Sequence, residues 1–127
     1  MKLRIVAADD SPMFLEKMVS ILELEFDVVK TAKDGKASLE VILECQPDVA
    51  VLDLEMLGLN ALEITSELMK RNPRPAIVIC SVERDPEVVA AALKVGVLGY
   101  VFKACAARDL NAAVKSAARG QSFVSMD

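Results

Sequence analysis

Short aliphatic runs alternate along this chain with longer stretches in which apolar residues recur every three or four positions. The first run, Leu3 to Ala8, is followed by Ser11-Pro12, a favourable helix cap and first-turn pair. Phe14, Met18, Ile21 and Leu22 then fall at helical spacing, with Glu16, Lys17 and Glu23 on the wet side. Phe26 to Lys30 reads as a second strand. Asp34-Gly35 supplies a turn and a helix start, with Leu39, Ile42 and Leu43 facing inward and Pro47 closing the helix. Val49 to Asp53 is the most apolar run and predicts a central strand; Leu62, Ile64, Leu68 and Met69 mark the helix after it, which Asn72-Pro73 stops. Ala76 to Ser81 predicts a fourth strand, and Asp85-Pro86-Glu87 opens a helix that ends at Gly96. Gly99 to Lys103 predicts a fifth strand. The last helix spans Asp109 to Arg119, with Leu110, Val114 and Ala117 at buried spacing. Aliphatic runs buried on both faces and separated by helices belong to a parallel sheet, so the pattern predicts one doubly wound α/β domain of five βα units.

Composition narrows this picture. A chain of 127 residues fits a single domain, and one of this size buries roughly two-thirds of the surface of its unfolded form. With 54% hydrophobic and 27% charged residues it is not a disordered tail. No apolar run approaches the roughly 18 to 20 residues needed to span a bilayer, and Met1-Lys2-Leu3-Arg4 leads into no cleavage signal, so a cytoplasmic protein is expected. Cys45, Cys80 and Cys105 are widely spaced among apolar or alanine-rich neighbours and read as buried or half-buried thiols. Histidine is absent, which excludes Ser-His-Asp catalysis, His-ligated zinc and phosphohistidine on this chain. A net charge of −4 without a basic patch argues against direct nucleic-acid binding.

The candidate chemistry stands where the strands stop. Asp9-Asp10 follows the first, Asp53 ends the third, Ser81 the fourth and Lys103 the fifth, and parallel sheets gather function at these carboxyl ends. Taken singly, the acids could cap helices, Ser81 could belong to a turn and Lys103 to the surface. Their shared placement points instead to one site. Three converging carboxylates repel one another and call for cations; oxygen-only donors favour a hard ion such as Mg2+, and Lys103 supplies a fixed positive charge. Asp53 could act as a nucleophile toward phosphorus, with Ser81 bonding a phosphoryl oxygen.

The segments Ala8-Asp9-Asp10-Ser11, Asp53-Leu54-Glu55-Met56, Ser81 and Tyr100-Val101-Phe102-Lys103 resemble, in order and spacing, the CheY-like receiver domains of two-component response regulators. The resemblance covers essentially residues 1–127, and Ala118 to Ser125 is similar to receivers of NarL/LuxR-type transcriptional regulators. It implies a flavodoxin-like (βα)5 domain whose five-stranded parallel sheet has the order 2-1-3-4-5. It further implies that Asp53 accepts a phosphoryl group from a sensor histidine kinase, with Mg2+ held by Asp10, by Asp9 chiefly through water, by Asp53 and by the backbone carbonyl of Glu55. Ser81 and Tyr100 would be the switch residues, acting on an output face built from the fourth helix, fifth strand and fifth helix. A helix-turn-helix output domain outside this chain and a homodimer on phosphorylation are the further partners implied.

The sequence also departs from that family. Leu57 stands where a Pro is usual, Ala61 where a Gly is usual, Val82 where many relatives carry a smaller residue, and Ala104 where the lysine is normally followed by a cis-linked Pro. A trans Lys103–Ala104 bond is expected, since a non-proline cis bond costs about 2.5 to 4 kcal/mol. These departures leave open a pseudo-receiver, an interaction module that works without phosphate. A phosphatase of the haloacid dehalogenase type is weaker, because its motif expects a second Asp where Glu55 stands.

Overall fold

The computed structural model describes residues 2–126. Strand β1 (Arg4–Ala8) leads into helix α1 (Pro12–Leu22), β2 (Asp27–Ala32) into α2 (Gly35–Cys45), and β3 (Val49–Leu52) into α3 (Ala61–Leu68). Strand β4 (Ala76–Ser81) leads into α4 (Pro86–Val95), and β5 (Gly99–Phe102) passes through a 3-10 turn (Lys103–Cys105) into α5 (Ala106–Ala118). A short strand β6 (Phe123–Val124) follows. All pairings are parallel and the order is β2-β1-β3-β4-β5-β6.

The predicted order of the first five strands holds, and the sheet gains a sixth. Phe123 and Val124 pair with Gly99 and Tyr100, which corrects the five-stranded expectation. Two residues are too few to show the alternation by which strands are recognised.

Local chemistry sets most helix starts. The side chain of Ser11 accepts from the Phe14 amide, Asp34 from Ala37 and Asp85 from Glu87. Asn60 and Glu63 form a reciprocal capping box on α3, and each such cap stabilises by about 1 kcal/mol. The helices cover both faces of the sheet and create two apolar cores. One gathers Val6, Leu52, Ile64, Ile77 and Tyr100 with α2, α3 and α4. The other gathers Ile5, Met18, Val51, Val78 and Leu110 with α1 and α5.

Several sequence boundaries are corrected. Strand β2 runs from Asp27 to Ala32 rather than from Phe26 to Lys30; Phe26 is buried at the end of the preceding turn. Strands β3 and β5 end one residue early, leaving Asp53 and Lys103 just beyond them. Helix α5 begins at Ala106 rather than Asp109, and Asp109 lies in its first turn as a buried partner of Arg108 and Ser125. Leu43, expected inward, is exposed, while Gly35, Ser38 and Ile42 form the buried stripe of α2. Gly35 explains the rotation: a Cβ there would lie 1.9 Å from the Leu59 carbonyl oxygen, so the helix presses its smallest residues against the β3–α3 loop.

Candidate functional site

Register brings the carboxylates together. Ala8 pairs with Leu52, and the Asp53 amide donates to the Ala8 carbonyl at 3.0 Å, so Asp9 and Asp53 leave neighbouring strands at the same level. Oxygens of Asp9, Asp10 and Asp53 lie within 4.8 Å of one another. Asp9 is fully buried, Asp53 nearly so, and Asp10 is exposed. The Lys103 ammonium enters from the end of β5, with Nζ 2.8 Å from Asp9 Oδ2 and 3.5 Å from Asp53 Oδ1. The Asp9 contact is an ion pair without hydrogen-bond alignment, while Asp9 Oδ1 accepts from the Ser11 amide at 2.8 Å.

The charge balance leaves Asp53 under strain. Burial, and then the charge of Asp9, push its pKa up to about 6; Lys103 opposes the rise and Asp10 adds to it. Burial works against the charge of Lys103, but the close contact with Asp9 and the negative charges of Asp53 and Asp9 outweigh it and hold the lysine above its ordinary value. The phenyl ring of Phe14 lies 4.4 Å from Lys103 Nζ and offers its π face to the same cation. In the sequence Phe14 reads only as part of a helix stripe; nothing in its spacing signals this contact. Beneath the site Cys80 is buried, and its thiol is pushed up to about 12, which makes it inert.

Two loops frame the opening. In the β3–α3 loop Glu55 and Leu57 are exposed, and the Gly35 amide donates to the Leu57 carbonyl at 2.8 Å. The positive φ this loop needs falls on Gly58, at +93°, so Ala61 occupies the first turn of α3 without backbone strain. At the end of β4, where the β4–α4 loop begins, Ser81 is buried and its Oγ accepts from the Glu83 amide at 3.0 Å, which leaves its hydroxyl hydrogen able to donate. Val82 is exposed beside it. Tyr100 is fully buried and donates its hydroxyl to the Glu83 carbonyl at 2.9 Å, while the Arg84 guanidinium sits 4.8 Å from the Phe102 ring centre. The Glu83 backbone carbonyl and the Arg84 side chain thus pin this loop to β5, although both residues are exposed. The Lys103–Ala104 bond is trans, as expected; among the described residues the cis bond is Asn72–Pro73.

Three acids and one lysine meet at the carboxyl ends of a doubly wound sheet, and their oxygens could hold a hard cation. A family model described as the response regulator receiver domain matches residues 5–115. The chain belongs to that family.

The receiver is similar in sequence to the transcriptional regulatory protein DegU of Brevibacillus brevis, at 34% identity over 97% of this chain and 53% of the relative. It is also 33% identical to a probable transcriptional regulatory protein NarL of Mycobacterium tuberculosis, over 97% of this chain and 58% of that protein. The chain thus spans between half and three-fifths of these relatives. The solved receiver domain of the NarL from Mycobacterium tuberculosis superimposes with a TM-score of 0.90 at 33% identity, covering 94% of this chain and 98% of that one. The receiver is therefore of the kind found in NarL/LuxR-type transcriptional regulators. Among the described residues, no helix is long and apolar enough to cross a membrane.

Proposed function

We propose that this receiver is a Mg2+-dependent phosphoacceptor switch of a cytoplasmic two-component system, spanning residues 1–127 as one domain. Asp53 takes the phosphoryl group from a phosphohistidine on a sensor kinase. A carboxylate oxygen of Asp53 bonds to phosphorus as the P–N bond breaks, and the departing imidazole takes a proton from solvent. The observation that carries this reading is the meeting of three carboxylates within 4.8 Å of one another, with the Lys103 ammonium 3.5 Å from Asp53; the crowding raises the Asp53 pKa to about 6. A buried carboxylate crowded by like charge gains by acquiring positive partners.

The donor set fits Mg2+: oxygen atoms from three carboxylates within 4.8 Å, one of them exposed toward solvent, and no competing thiol or imidazole. Asp10, Asp9, Asp53 and the Glu55 carbonyl would hold the ion. Bound there, it would neutralise charge on the transferring phosphoryl oxygens. Lys103 holds Asp9 and is within reach of a group on Asp53. Ser81 turns its hydroxyl to donate to a phosphoryl oxygen, and Tyr100 stays inward when the β4–α4 loop closes. The domain assists its own modification and acts as a switch rather than as an enzyme with an external substrate. Its output is a helix-turn-helix domain of the same regulator, with dimerisation on phosphorylation.

Incubation with Mg2+ and acetyl phosphate, followed by intact mass, tests the reading. One added phosphoryl group that is lost in Asp53→Ala and on chelation supports it. A gain that survives Asp53→Ala would overturn it, and no gain at all would leave an interaction module that works without phosphate.

A further inference from the structure

Strand β5 would be the edge of the sheet were it not covered. An open edge leaves a row of unpaired amides and carbonyls, and residues 123–125 occupy this one. Phe123 N donates to the Leu98 carbonyl and Ser125 N to the Tyr100 carbonyl, each at 2.9 Å. A two-residue strand has little backbone pairing to hold it, and a polar clasp does the rest. Ser125 is buried; its Oγ donates to Asp109 Oδ2 at 2.8 Å and accepts from the Phe102 amide at 3.2 Å. Arg108 grips Asp109 through two hydrogen bonds of 2.8 and 2.9 Å and donates to the Met126 carbonyl at 2.7 Å. That guanidinium, opposing the effect of burial, holds the Asp109 carboxyl below its ordinary pKa, so the clasp is charge-assisted.

The two residues that the clasp grips on β5 are the ones the site reaches. Phe102 directly precedes Lys103, whose ammonium stands between Asp9 and Asp53. Tyr100, whose carbonyl holds Ser125, donates its hydroxyl to the Glu83 carbonyl, and the Glu83 amide is bonded to Ser81. Both arms of the site, Ser81 and Lys103, therefore end on backbone that β6 holds.

From this arrangement we infer that residues 123–126 form a switchable strap on the edge of β5, gripped more tightly when Asp53 is loaded. The inference rests on the phosphoacceptor reading above. Loading gives Ser81 and Lys103 a shared anionic partner, which fixes Tyr100 and Phe102 in the geometry that receives Ser125. A partner seeking the α4–β5–α5 face then meets β6 rather than a bare strand edge, and the strap's dwell time reports the state of the site.

Hydrogen exchange on the whole chain, with and without Mg2+ and beryllofluoride as a phosphoryl mimic, tests this. Loading slows exchange at the Phe102 and Ser125 amides by roughly tenfold, within the usual range of coupling between two sites. Because coupling is reciprocal, Ser125→Ala weakens beryllofluoride binding by a similar factor, which a merely structural clasp would not do. Unchanged exchange at residues 122–126 in a protein shown to bind the mimic overturns the strap while leaving the phosphoacceptor intact. Failure to bind the mimic at all overturns the phosphoacceptor reading and the switch with it. Should Ser125→Ala not fold, the exchange comparison in the unaltered chain decides alone.

Discussion

The Lys103 ammonium lies 2.8 Å from Asp9 Oδ2, closer than its 3.5 Å approach to Asp53. The lysine thus compensates the fully buried acid first and stands ready to turn toward a group on its neighbour. Removing it strands a buried carboxylate, a loss that costs about 3 to 5 kcal/mol where both partners are fully buried. Because Lys103 keeps some solvent contact, Lys103→Met is expected to cost about 3 kcal/mol in urea denaturation without Mg2+. Added Mg2+ should recover more stability in this variant than in the unaltered chain. An equal response in both would contradict the charge balance described for the site.

Asp53 gives the stability a pH dependence of known sign. Its folded pKa, about 6, lies above the ordinary value of 3.8. The folded state therefore holds a proton that the unfolded chain releases in that window, and its stability falls as pH rises through it. The full gap corresponds to at most ~3 kcal/mol. In chelator, Asp53→Asn should be more stable than the unaltered chain above pH 6, with the difference vanishing below pH 4. Denaturation midpoints across that range would show it; a flat difference would contradict the assigned cause.

Gly35 is a site of close approach rather than of special backbone angles. A Cβ there meets the Leu59 backbone at 1.9 Å, so the β3–α3 loop must move away. Gly35→Ala is expected to destabilise by more than about 2 kcal/mol and to weaken Mg2+ binding through the displaced Glu55 carbonyl. A change within about 0.5 kcal/mol, the range of neutral surface substitutions, would show that the loop gives way freely.

Tyr100 and Arg84 hold the β4–α4 loop to β5 by different means. Tyr100→Phe removes one hydrogen bond to the Glu83 carbonyl and should cost about 1 kcal/mol. Arg84→Ala removes the guanidinium from the Phe102 ring and should cost about 0.5 to 1 kcal/mol at this exposed position. A double-mutant cycle read by denaturation should show coupling, since both contacts restrain one loop. Strict additivity would mean that the loop is not a single unit.

The legible parts of this molecule were those with periodic or punctuated signals. Five strands, five helices, the helix starts at Ser11, Asp34 and Asp85, and the placement of Asp9, Asp10, Asp53, Ser81 and Lys103 at strand ends all follow from runs of residues whose meaning is local. The misses were of another kind. Strand β6 is too short to carry a period, and Ser125 and Asp109 look like ordinary polar residues until folding places them 2.8 Å apart. Leu43 faces solvent because a glycine eight residues earlier packs against a loop from another βα unit. Ala61 looked out of place because the positive φ of its loop could not be assigned to Gly58 from sequence alone. Long-range packing decided each of these, and no window of sequence contains it.

The central claim is that the phosphoryl group rests on Asp53 as an acyl phosphate. Borohydride reduces such a mixed anhydride to an alcohol, converting a phosphorylated aspartate to homoserine. After treatment with Mg2+ and acetyl phosphate and then borohydride, peptide mass mapping should find homoserine at position 53, absent when Mg2+ is withheld. Homoserine at another aspartate, or an unreduced Asp53 in a protein that has gained the phosphoryl mass, would contradict it.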